Sequence, residues 1–62
     1  MSPTQVKRLR RLLGLTQQQL ANIIGAQRHT VARWETGANE PKGAYLRALE
    51  QLAEKAKARA RK

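Results

Sequence analysis

The 62-residue chain contains no cysteine and no phenylalanine, and its only aromatic side chains are Trp34 and Tyr45. Without cysteine, neither a disulfide nor a zinc–thiolate site can staple the fold. A domain this small buries a modest core and is marginally stable alone. Economical helix packing or dimerisation must therefore supply the stability. The lack of cysteine also fits a reducing compartment. No apolar run approaches the roughly 18 residues of a membrane span, and there is no apolar core of signal-peptide type. A cytoplasmic protein with no membrane partner is the expectation. His29 is the single histidine, and with no cysteine or second histidine to complete a site, no metal is expected. There is no nucleophile–base–acid set, no phosphate-binding glycine loop and no pair of carboxylates in a cleft. The chain is thus read as a non-enzyme without a cofactor.

Acid is scarce as well. Four glutamates face thirteen Lys and Arg, for a formal charge of +9. All four lie at or after Glu35, so the first 34 residues carry Lys7, Arg8, Arg10, Arg11, Arg28 and Arg33 with no acid among them. Such an imbalance suits a polyanionic partner, either nucleic acid or an anionic membrane surface.

No alternation of strand type is visible, and what is present reads as helix. Ser2-Pro3-Thr4-Gln5 is a start signal, with Ser2 as cap, Pro3 at the first helical position and Gln5 closing a capping box. Val6, Leu9 and Leu13 then recur on one face, and Gly14 ends the helix near residue 13. Thr16 and Gln19 repeat the capping box before Leu20, Ala21, Ile23 and Ile24, and Gly25 stops this second, short helix. A third helix runs to Gly37. At about 100° per residue, its Thr30, Val31 and Trp34 share one side, while Arg28, His29, Ala32, Arg33 and Thr36 share the other.

After a loop from Ala38 to Lys42, a fourth helix begins near Gly43, with Tyr45, Leu46, Leu49, Leu52, Ala53 and Ala56 as its apolar stripe. Beyond Glu54 the chain becomes a basic helical tail with little to bury, which should fray without a partner. The expected organisation is an all-α domain over residues 1–54 and a basic tail over residues 55–62. Two short helices joined by a tight glycine turn have the geometry of a helix-turn-helix.

At this point the sequence resembles the Cro and phage-repressor type of helix-turn-helix, the XRE family. The matching residues are Val6, Leu9, Arg10, Gly14-Leu15-Thr16-Gln17, Leu20-Ala21, Ile24-Gly25, Thr30-Val31, Arg33-Trp34-Glu35, Gly37 and Pro41, within residues 5–52. The stretch Pro41–Leu49 is similar to a subgroup that includes antitoxin-type regulators. The resemblance implies a compact lambda-repressor-like domain of four to five helices. Its third helix would enter the major groove, with Arg28, His29, Ala32 and Arg33 at the base-reading positions. Arginine suits that task because its fork meets O6 and N7 of guanine together.

The resemblance also makes Gln17 a phosphate contact at the second helix N-terminus, where free N–H groups favour anions. Gln27, Thr36, Asn39 and Lys42 join it as phosphate contacts that position the domain. It pairs Arg10 with Glu35 in a structural ion pair between the first and third helices. Two positions depart from the pattern. Gln27 stands where the family places a Ser or Thr cap, and Lys42 replaces the subgroup's serine.

The resulting expectation is a sequence-specific DNA-binding transcription regulator that acts on double-stranded DNA at the nucleoid of a bacterial cell or phage-infected host. It would be a repressor, binding a palindromic operator as a homodimer. The alternative is an antitoxin that neutralises a toxin partner and autoregulates its operon. A third reading, from charge alone, is a non-specific nucleoid-type or RNA-binding protein, marked by steep salt dependence and no sequence preference.

Overall fold

The computed structural model describes residues 1–60, without the side chains of residues 59 and 60. Arg61 and Lys62, the end of the expected basic tail, lie outside the described residues. Helices α1 (Pro3–Leu12), α2 (Gln17–Ile24), α3 (Arg28–Thr36) and α4 (Gly43–Ala60) make up the architecture, with no strand among the described residues.

Both expected capping boxes form. Gln5 N donates to Ser2 Oγ at 3.2 Å, and Ser2 N donates to Gln5 Oε1 at 2.8 Å. At α2 the reciprocal distances are 3.0 Å for Gln19 N to Thr16 Oγ1 and 2.9 Å for Thr16 N to Gln19 Oε1. Each box satisfies two amide donors that a helix start leaves without a partner. At the other end of α2, Gly25 adopts the left-handed conformation with φ +78°. Ala26 N then reaches back to the Ala21 carbonyl at 2.9 Å. That closure lets the chain turn at once into α3.

The core lies where the four helices meet. Val6 and Leu9 of α1, Leu20 and Ala21 of α2, Val31 and Trp34 of α3, and Leu49 and Ala56 of α4 are all buried. Leu13, Leu15, Ile24, Leu52 and Ala53 pack around them. Ala21 is fully buried, and its single methyl lets α2 approach the helices across from it. Trp34 and Tyr45 stack with tilted rings, centroids 5.6 Å apart, which ties α3 to the start of α4.

Two apolar residues sit differently from the sequence reading. Tyr45 is only part-covered, because its ring lies along the edge of the stripe against Trp34. Ile23 is 55 % exposed, since Leu20 and Ala21 already fill the space beneath α2. As the apolar stripe predicts, α4 continues past residue 54, and Ala56 is buried.

Candidate nucleic-acid interface

α3 begins at Gln27, whose backbone is extended and whose side chain makes no capping hydrogen bond. Its buried side holds Val31, Trp34 and Glu35. On the other side Arg28, His29, Arg33 and Thr36 are exposed. Ala32 is half-buried, because its methyl is short beside Arg28 and Thr36 one turn away on either side. Among the described residues, Arg28, His29 and Arg33 make no side-chain hydrogen bond and no ion pair. Their donors therefore remain available to a ligand.

The helix ends in a tightly gathered turn. Gly37 takes φ +86°, and Ala38 N donates to the Arg33 carbonyl at 3.0 Å. The Thr36 hydroxyl donates to the same carbonyl at 3.1 Å, and Asn39 N approaches it at 3.4 Å. Thr36 and Asn39 are thereby held close to the α3 terminus, with Lys42 exposed a few residues further along the same loop.

One buried carboxylate holds the frame behind this face. Glu35 is buried, with 3 % of its side chain exposed, against 17 % for Arg10. Arg10 Nε donates to Glu35 Oε2 at 2.7 Å and Nη2 donates to Oε1 at 3.2 Å, a bidentate pair. The third guanidinium nitrogen, Nη1, donates to the Leu15 carbonyl at 3.0 Å. Gln17 Nε2 completes the set by donating to Glu35 Oε1 at 3.2 Å. The Glu35 carboxylate thus joins α1, the first residue of α2 and the end of α3, and the Arg10 guanidinium adds the α1–α2 loop.

Burial alone pushes the Glu35 carboxyl up, and that is the largest single influence on it. The hydrogen bonds from Arg10 and Gln17, with the charges of Arg10 and Lys7, outweigh burial together and hold the carboxyl below its ordinary value. The hydrogen bond to Glu35 likewise raises the Arg10 guanidinium.

Gln17, expected only as a phosphate contact, therefore also has a structural role. It anchors Glu35 with one amide hydrogen, and the second hydrogen and the amide oxygen are left over. No local signal reveals this, since the two residues are 18 apart and meet only when α2 packs on α3. The Leu15 carbonyl is another member that the sequence does not announce, because a backbone acceptor leaves no mark in residue identity. Among the described residues, no group of three His, Cys, Asp or Glu is placed to hold a metal. No helix there is long and apolar enough to cross a membrane.

The expected base-reading residues Arg28, His29, Ala32 and Arg33 thus share one outward side of α3. Gln27 stands at one end of that helix, Thr36 and Asn39 stand at the other, and Gln17 opens the neighbouring α2. No curated protein and no solved structure matches the chain significantly. A family model does, the helix-turn-helix model, over residues 6–56. With the α2–turn–α3 unit inside that match, the chain belongs to the Cro/C1-type helix-turn-helix family, also called XRE, of DNA-binding transcription regulators.

Proposed function

We propose that this chain is a sequence-specific repressor that binds a palindromic operator as a homodimer and covers a promoter. The observation that carries this reading is the outward side of α3. It presents two arginines and a histidine without internal partners and contains no acid. Arg28, His29 and Arg33 hydrogen-bond to base edges in the major groove, and Ala32 offers a methyl contact. Gln17, Gln27, Thr36, Asn39 and Lys42 hold the phosphates on either side of the groove. The remaining amide hydrogen of Gln17 supports this, since the bond to Glu35 fixes the side chain at the N-terminus of α2, where anions are favoured. One domain reads few bases, so two copies on half-sites about one helical turn apart supply the specificity.

Selection of bound duplexes from a random pool, followed by sequencing, tests the proposal. A palindromic consensus is the expected result. Enrichment of an unpaired half-site removes the homodimer from the reading. A pool that stays random removes sequence recognition altogether and leaves binding by charge.

A further inference from the structure

α1 and α4 enclose an open groove of about 660 Å³. Leu9, Ala53 and Ala56 line its apolar part. Leu12 stands on its wall with 59 % of its surface exposed, although it is a large apolar residue on a largely polar surface. Charges of both signs stand on the rim. Arg8, Arg47 and Lys57 are the cations, and Glu50 and Glu54 are the anions. None of these five makes an ion pair among the described residues.

We infer that this groove docks a second copy of the chain, with the two α4 helices antiparallel about a two-fold axis that passes between Glu50 and Gln51. The inference rests on the homodimer reading above and gives it a surface.

Charge selects this occupant. Each copy carries +9, so two copies repel each other over most of their surfaces. Of the four acids, Glu35 is committed to Arg10, and two of the other three lie on this rim. A two-fold interface must be complementary to itself, and a rim with both signs meets that need. Arg47, Glu50, Gln51 and Glu54 follow one another at helical spacings i, i+3, i+4 and i+7, so they form one ridge. Antiparallel pairing of two such ridges sets Arg47 of each copy against Glu54 of the other, and Glu50 against Gln51. The second copy also covers Leu12 on the α1 wall of the groove. A nucleic acid would meet two carboxylates here, and a basic protein would meet three cations.

Sedimentation equilibrium of the full chain, alone and with a duplex carrying one half-site, tests the proposal. The wild-type chain is expected to dimerise. Leu12→Asp should weaken the dimer at least about tenfold, with circular dichroism and thermal melting showing that the monomer is folded. Arg47→Glu and Glu54→Arg should each weaken self-association by about tenfold, because each sets like charges together at both contacts. Mixing these two variants in equal amounts should restore a dimer of near wild-type strength, since the mixed pair again opposes unlike charges at both contacts.

Failure of the mixture to recover overturns the proposal, and so does a folded Leu12→Asp that dimerises like wild type. A wild-type chain that stays monomeric near 0.1 mM, a concentration on the order of a weak complex, also overturns it and leaves the groove to some other occupant. Base preference on the half-site duplex reports DNA reading separately. If the groove is wrong, that preference survives in all three variants. If DNA reading is wrong, the preference is missing in wild type as well, whatever the oligomeric state.

Discussion

Glu35 keeps its charge almost fully out of water because Arg10 and Gln17 replace the lost solvation with three hydrogen bonds. Removing one partner of such a pair leaves the other uncompensated. Glu35→Ala should therefore cost about 3 kcal/mol, the low end for a buried pair because Arg10 is partly exposed, as read by chemical denaturation. The pair also sets an acid limit. The carboxyl is held below its ordinary value of 4.5, so its stabilisation is complete above that value and is lost as pH falls through the lower folded value. A pH series of melting temperatures should fall steeply on the acid side for wild type and less steeply for Glu35→Gln. Equal acid slopes in the two proteins would refute this. On the outward side of α3 the expectation is the reverse. Arg28→Ala or Arg33→Ala should leave the melting temperature nearly unchanged, while weakening binding to the selected DNA by about 1–3 kcal/mol and relaxing the choice of base at one position. Titration against the consensus and single-base variants measures both effects.

Among the helix starts, α3 differs from α1 and α2. Those two begin with a full capping box, whereas Gln27 supplies no side-chain bond. A helix whose first turn is not capped from within has amide donors and a positive dipole end turned outward. If Gln27 serves a phosphate, the missing cap is where stability has been exchanged for contact with DNA. Gln27→Ser should then raise stability by about 0.5–1 kcal/mol, since serine is a good cap, and should weaken DNA binding. A stabilised variant with undiminished affinity would remove Gln27 from the contact surface. The turn before it is closed by Gly25 in the left-handed region, so α2 and α3 are joined with little slack. The pair can then enter a groove as one rigid unit, with Trp34 and Tyr45 bracing α3 against α4 from behind.

Over the whole molecule, charge sets the range and salt dependence of binding. With thirteen cations and four anions the chain is attracted to DNA before any base is read. Phosphate contacts and base contacts separate in a salt series. Lys42→Ala should weaken binding about equally on specific and random duplexes and should lower the slope of log affinity against log salt by about 1. An unchanged slope would place Lys42 away from the phosphates. Arg10, although cationic, should add little to that slope, because Glu35 already neutralises it. Of the three acids not committed to Arg10, Glu50 and Glu54 lie on the α1–α4 side, away from the outward side of α3.

Helix positions were legible in the residues because their signals are local. Ser2 with Gln5, Thr16 with Gln19, and Gly25 and Gly37 act on the backbone within a few residues of themselves. The division of α3 into a buried and an outward side was legible for the same reason, since helical period alone sorts Val31 and Trp34 from Arg28 and Arg33. The Arg10–Glu35 pair was legible only through family resemblance, because nothing in a chain's own spacing says that residues 25 apart will meet. Gln17 as a partner of Glu35, the Leu15 carbonyl as a partner of Arg10, and the exposure of Ile23 and Tyr45 were not legible at all. Each depends on how helices lie across one another. Residue identity thus determined the elements, their ends and the sign of the surface, all set by short-range backbone and side-chain preferences. Packing decided which polar groups share one buried carboxylate and which apolar residues are left uncovered, because contacts between distant segments exist only once the helices have docked.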